Sequence, residues 1–330
     1  MNGTHNPIPE RMHAVVVRAS GGPETLEYTE VATPKVRDGW SLVRVRGCGV
    51  NHSEVFTRQG LSPSVQFPRI LGIECVGEVA CTTDPDRLPQ GACVASLMGE
   101  MGRAFDGGYA EYCLLPNDQI YPIDTHLSWQ EMAAVPETYY TAYLSMRNLQ
   151  LTDDQVILVR GGTSGVGVAF ARLVHAGFRN VKLVGTTRDM AKEGKVRSTG
   201  FDSVVQDAQG VLKTDRAFDC VLELVGPATM KDTCAHVKPG GIVCSTGQLG
   251  GQWCLDGFDP ILDLPTNGYL TSAYSDNVDG KLLQELFDFI AEHKVDVAPA
   301  RVFDLAHAAE AHAYLEGSAS FGKVILAIDA

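Results

Sequence analysis

Residues 161–167, GGTSGVG, follow directly on a short β-branched apolar run at 155–160 and lead into small and apolar residues at 168–175. A buried strand turning through glycines into a helix gathers backbone N–H groups and the positive end of a helix dipole at one point. Such a point holds a pyrophosphate. Gly165 and Gly167 are needed there because a Cβ would keep the phosphates, or the helix, at a distance. A further strand-like run at 181–186 comes at the βαβ spacing, which separates this pattern from an ordinary tight turn. Gly162, Thr163, Ser164, Gly165, Val166 and Gly167 are therefore the candidate cradle of a dinucleotide.

The end of the second strand chooses between dinucleotides. An acidic side chain there accepts hydrogen bonds from the adenosine ribose of NAD. This chain has Thr186, Thr187 and Arg188 instead, with Lys192 one helical turn further on. Hydroxyls and a guanidinium suit a 2′-phosphate, so NADPH is the expected cofactor. Asp189 is better placed as a helix N-cap than as a ribose ligand. Asp207, after the third strand, counts against a phosphate nearby.

The elements that must position these groups fall into two sets. From residue 155 onward, strand-like and helical patterns alternate, with strands at 181–186, 203–206, 220–224, 241–245 and 269–274. That alternation predicts a doubly wound parallel sheet of about six strands. Before residue 128, short runs at 13–18, 26–30, 41–47, 74–79, 92–96 and 109–115 are broken by Gly and Pro, the pattern of a compact β-barrel. Ser128 and Glu131 have the form of a capping box, opening a helical pattern that Pro136 interrupts. Helical patterns at 280–293 and 305–316 and a strand at 323–328 are expected to pack back on the barrel. The predicted fold is thus α/β with two domains, one of residues 1–131 and 277–330 and one of residues 132–276.

Composition narrows the function. With 330 residues and a net charge of −13, the chain lacks the basic surface that nucleic acid or anionic membrane demands. No apolar run approaches membrane-spanning length, residues 1–11 read as a loose polar tail without a signal peptide, and a cytoplasmic location is expected. The nine cysteines are scattered without CxxC spacing and read as reduced core residues.

The barrel motifs carry a resemblance. Gly49-Val50-Asn51-His52-Ser53-Glu54, Arg58-Gln59-Gly60, Gly72-Ile73-Glu74-Cys75-Val76-Gly77, Gly107-Gly108-Tyr109-Ala110-Glu111-Tyr112, Pro136-Glu137-Thr138 and Gly322-Lys323-Val324 join the glycine-rich loop in one order. Together they resemble the medium-chain dehydrogenase/reductase superfamily, in particular its zinc-free quinone oxidoreductase branch, also called zeta-crystallin-like. The resemblance implies a GroES-like catalytic domain, a Rossmann domain and a homodimer paired through the edge strand at 269–274. In zinc-dependent members a Cys stands at the position of Asn51, Gly-His-Glu at that of Gly72-Ile73-Glu74, and a second Cys at that of Glu137. An amide, an alkyl group and a carboxylate do not make a catalytic zinc site, so no metal is expected. Glu54 and Arg58, four apart, read as an ion pair that steadies loops near the cofactor.

Without a Lewis acid, the acceptor must already be activated by conjugation. The expected activity is NADPH-dependent reduction of quinones or α,β-unsaturated carbonyls. Candidate catalytic residues are Asn51, Tyr139, Tyr140 and Thr141, of which helical geometry lets only one of the two tyrosines reach the cleft. Val225, Thr246, Gly247 and Leu249 close later strands and should border the nicotinamide. The rival enzyme readings are a pathway-specific enoyl reductase and a redox-neutral isomerase or cyclase. The rival outside enzymology is an NADPH-binding structural or regulatory protein.

Overall fold

The computed structural model of the chain describes residues 7–328. Its central sheet takes the spatial order Ser203–Ala208, Lys182–Thr187, Val156–Arg160, Phe218–Glu223, Val237–Ser245, Tyr269–Ser272, all parallel. In order along the chain this is 3-2-1-4-5-6, with the reversal between the first and fourth strands. A crevice opens there at the carboxyl ends, where ligands of such sheets bind. A short antiparallel strand, Val211–Leu212, extends the far edge and was not anticipated.

The amino-terminal part is a barrel-like pair of sheets. Arg11–Val17 pairs antiparallel with Leu26–Ala32 and Arg69–Ile70. The larger sheet runs Arg301–Asp304, Val324–Ala327, Trp40–Val50, Glu74–Cys81, Cys93–Leu97 and Tyr121–Pro122, with Tyr112–Pro116 also on Trp40–Val50. Arg301–Asp304 escaped the sequence reading because it is a largely exposed edge strand without apolar alternation.

The helices are α1 (His52–Arg58), α2 (Trp129–Ala133), α3 (Pro136–Asn148), α4 (Gly165–Gly177), α5 (Glu193–Arg197), α6 (Met230–Ala235), α7 (Pro260–Asp263), α8 (Gly280–His293) and α9 (Ala308–Glu316). The capping box at Ser128 forms, with both the Ser128 side chain and the Glu131 side chain engaged. Pro136 starts α3 because its missing N–H is one that a first turn leaves unpaired. The helix expected over 189–198 is instead a 3₁₀ turn, Met190–Lys192, followed by the short α5. Asp189 caps Ala191, and Gly194 sits in open space within α5.

The carboxy-terminal segment does not pack as one unit. Leu283, Leu286, Phe287 and Ile290 of α8 are buried in the same core as α3 and α4. Leu305, Ala308, Ala311 and Leu315, in and just before α9, and the terminal strand join the barrel core. Helix α8 packs on α3 and α4 and also reaches the barrel, where the Gln284 side chain exchanges hydrogen bonds with the Asp124 backbone at 3.0 Å.

Candidate active site

Between the two halves lies a cavity of about 630 Å³. Its sheet wall is made by Ser164, Gly165 and Val166 together with Thr246, Gly247 and Leu249. Ser164 caps α4, accepting from the Gly167 amide at 3.1 Å. The first-turn amides of Gly165 and Val166 lack intrahelical acceptors and belong to residues that line the cavity. A Cβ on Gly167 would lie 2.6 Å from the Gly161 carbonyl, so only glycine lets the helix sit this close to the strand. Thr186 is a strut of this loop, its hydroxyl accepting from the Gly161 amide at 3.0 Å. Thr163 ties the loop to the barrel, its carbonyl accepting from Gly322 N at 2.9 Å.

Below the loop a closed polar cluster holds the strand ends. Arg160 donates to Asp207 and to Asp232, each at 2.8 Å, and to Thr233 Oγ1 at 2.8 Å. Glu223 accepts from the amides of Val225 (2.7 Å) and Gly226 (3.0 Å) and from the hydroxyls of Thr229 and Thr233. Asp207, expected to disturb a nearby phosphate, is therefore buried and paired with Arg160. Arg188 is exposed at the strand end, and its guanidinium has no partner among the described residues. Thr187 turns its hydroxyl to the Asp189 carbonyl at 3.0 Å. Lys192 does not share a helical face with Arg188, because the 3₁₀ turn redirects it and its ammonium donates to the Ser318 carbonyl.

The barrel side forms a charged floor. Glu74, 0% exposed, accepts on Oε1 from Lys323 Nζ at 2.6 Å and from Asn51 Nδ2 at 2.9 Å. Its other oxygen accepts from the Glu137 amide at 2.8 Å, tying the start of α3 to the floor. Lys323 also donates to Asn51 Oδ1 at 2.7 Å, and Thr141 donates to Glu137 Oε1 at 3.1 Å. Glu54 accepts from the Ile73 amide at 3.1 Å, while its second oxygen is buried without a partner. Burial pushes the Glu54 carboxyl up to about 7 and raises that of Glu137, with Glu74 adding repulsion to both. Burial likewise pushes His52, which lines the cavity, below the usual histidine range.

Asn51 and Thr141 thus lie in the cleft as expected, but the tyrosines do not. Tyr139, 2% exposed, points to the back of α3, where its hydroxyl donates to the Asp296 carbonyl at 3.1 Å and accepts from Arg172 at 3.2 Å. Tyr140, 1% exposed, accepts from the Asp279 amide at 2.9 Å. Both hydroxyls are consumed by interelement bonds, so neither is kept as a catalytic candidate. Glu54 and Arg58 do not pair either: Arg58 bonds Glu316 at 2.6 Å and the Gly21 carbonyl at 3.0 Å. The sequence reading gave no role to Lys323, Arg103 or Phe56. Lys323 carried a signal in hindsight, a single charge opening the apolar strand FGKVILAI. At the mouth Trp253 packs edge-on against Phe56, with ring centroids 5.2 Å apart, and Arg103 donates to Ser53 at 2.7 Å.

A GroES-like barrel joined through such a cleft to a doubly wound sheet is the build of a two-domain oxidoreductase. Residues 37–125 match the alcohol dehydrogenase GroES-like domain family, and residues 199–326 match the family described as zinc-binding dehydrogenase. The quinone oxidoreductase of Pseudomonas aeruginosa is 28% identical over 93% of this chain and 97% of its own length. The structure of the quinone oxidoreductase from Coxiella burnetii superposes with a TM-score of 0.83 at 21% identity, covering 97% of this chain and all of that one (100%). A mycobacterial protein, Rv1454c, complexed with NADPH, superposes at 0.81 with 24% identity over 96% of this chain and 99% of that one. The chain belongs to the medium-chain dehydrogenase/reductase superfamily and is of its quinone oxidoreductase type.

The residues do not fit the zinc that one family description carries. Among the described residues no three His, Cys, Asp or Glu side chains gather to hold a metal ion. Asn51 offers Oδ1 to an ammonium, and Ile73 offers no donor at all. They do fit a dinucleotide: the glycine cradle is closed to any Cβ at 167, and Ser164, Gly165 and Val166 at its helix start line the cavity.

Proposed function

We propose that the protein is an NADPH-dependent reductase of quinones or α,β-unsaturated carbonyls that works without a metal. The observation that carries the reading is the cleft itself, with an anion-ready glycine loop on one wall and a floor on the other in which Lys323 pairs with Glu74. The quinone oxidoreductase relatives support it. Ser164, Gly165 and Val166 would hold the diphosphate, Thr246, Gly247 and Leu249 the nicotinamide side, and Arg188 the 2′-phosphate.

When bound in this cradle, a reduced nicotinamide would supply a hydride from C4; the acceptor would take it at its β-carbon or ring together with a proton from solvent, so electrons and protons balance. Thr141 borders the reacting space and, through Glu137, is anchored to the floor. Of the floor's charges, the Lys323 ammonium is the one that would favour negative charge building on an acceptor oxygen. Asn51 contributes by holding this floor, since its amide hydrogens are directed at Glu74 and, more distantly, Glu54 at 3.4 Å.

A homodimer paired along the edge strand Tyr269–Ser272 belongs to the same proposal, supported by the exposed Tyr269 and Leu270 on an unpaired edge. A cytoplasmic setting is supported by the cysteines, all free thiols. No helix among the described residues is long and apolar enough to cross a membrane.

The test is NADPH oxidation across a panel of quinones, enones, aldehydes and alcohols. Turnover of phenanthrenequinone or enones, but not of simple alcohols, is expected; a pathway-specific enzyme would ignore the simple quinones. Arg188→Ala should raise the KM for NADPH about tenfold or more and leave that for NADH nearly unchanged. Equal effects on both cofactors would reject the phosphate assignment.

A further inference from the structure

One ammonium ties together the parts of the floor. Lys323 is 6% exposed and lines the cavity, and its Nζ bonds two groups that arrive from distant segments, Glu74 and Asn51. Because an ammonium can only donate, it forces Asn51 to present Oδ1 to it and thereby turns Nδ2 toward Glu74. Glu74 in turn anchors the Glu137 amide and with it the first turns of α3, which bring Thr138 and Thr141 to the cavity. A Cβ at position 49 would run into Glu74 Oε1 and the Lys323 ammonium, so Gly49 keeps the space in which the cation sits. Asn51 and Glu137 stand at positions where zinc-dependent members of the superfamily have cysteine ligands, and Lys323 bonds Asn51 directly and reaches the Glu137 amide through Glu74.

We propose that the Lys323 ammonium, held by Glu74 and Asn51 Oδ1, is the fixed cation of this cleft and takes the place of a metal toward the negative charge that forms on the substrate oxygen. The inference rests on the quinone and enone reading above. A positive charge removed from bulk water acts far more strongly on a developing oxyanion than a solvated one. Its contribution therefore weighs most for poorly activated acceptors. Lys323 acts through its own charge, and the groups it bonds fix where that charge sits.

The experiment compares Lys323→Met and Lys323→Arg with the wild type. NADPH affinity is read by fluorescence, folding by thermal melting, and kcat over benzoquinones of graded reduction potential. Lys323→Met is expected to keep NADPH affinity within about threefold, to lose about 100-fold in kcat, and to steepen the dependence of log kcat on acceptor potential. Lys323→Arg should recover at least about tenfold of that loss and the shallower dependence. Wild-type kcat and slope in Lys323→Met would overturn the proposal. So would a loss equal for every acceptor that arginine does not relieve, the mark of a merely structural role. A second measurement needs no turnover: the wild type is incubated with one equivalent of zinc, desalted and assayed for metal. No retained zinc is expected; stoichiometric zinc that Glu74→Gln abolishes would overturn the proposal. If the wild type reduces no quinone or enone, the functional reading fails, and the zinc assay alone decides this inference.

Discussion

Arg160 and Lys323 are both buried cations set among carboxylates, one beneath each wall of the cleft, and they end differently. Arg160, 0% exposed, is wrapped by Asp207, Asp232 and Thr233 and lies outside the cavity lining. Its planar fork reaches a strand and a helix of the sheet domain at once, which a point charge on a flexible stem does poorly. Lys323 has fewer partners, faces more carboxyl groups than it can neutralise, and borders the cavity. The cluster sealed inside the sheet domain fixes a fold, whereas the one that borders the cavity keeps a charge within reach of a ligand.

Removing each cation should separate the two roles. Arg160→Met leaves Asp207 buried without its partner and should lower unfolding free energy by about 3–5 kcal/mol in urea titrations. Lys323→Met should fall well short of that in stability while losing turnover. Equal stability losses would erase the distinction.

Burial of the floor's carboxyls has its own signature. Burial, with repulsion from Glu74, raises the Glu54 carboxyl from its ordinary 4.5 to about 7 in the folded chain, so the folded state binds its proton more tightly than the unfolded one. Stability from this group is present at low pH and is lost as pH rises between those two values, by up to about 3 kcal/mol. Glu54→Gln should thus gain on the wild type from pH 5 to pH 8; a constant gap in denaturation curves would contradict the assignment. The comparison with the variant is needed because buried His312, pushed down to about 3, contributes with the opposite slope over an overlapping window.

Gly49→Ala disturbs only the floor, by crowding the ammonium, and should reduce kcat about 30-fold with NADPH affinity retained. An unaffected kcat would show that the ammonium's position is unimportant. The smallest effect is expected from Tyr140→Phe, which removes an acceptor for the Asp279 amide: about 1 kcal/mol in stability and no change in kcat. A drop in kcat would return the tyrosine to the reaction.

Much of this was legible from local pattern. The glycine loop announces itself because strand, turn and helix are consecutive, and the parallel strands because burial on both faces makes them continuously apolar. The helix at 280–293 was found with its boundaries intact, since Asp279 caps a strongly two-faced sequence. That it also packs on α3 and α4 was not, because an apolar stripe does not name its partner. The tyrosines were misplaced for a related reason: α3 is buried around most of its circumference, so its sequence does not say which face meets the cleft. Lys323 lies 272 residues from Asn51, and no local spacing rule joins such distant side chains. The superfamily motifs named both residues but left unsaid that one bonds the other.

The central claim is that this cleft reduces its acceptor with an internal cation instead of a metal. Its most direct test is the turnover of phenanthrenequinone with NADPH before and after exhaustive chelation, and again after zinc is added. Unchanged kcat throughout is the predicted result; activity that disappears on chelation and returns with zinc would contradict it.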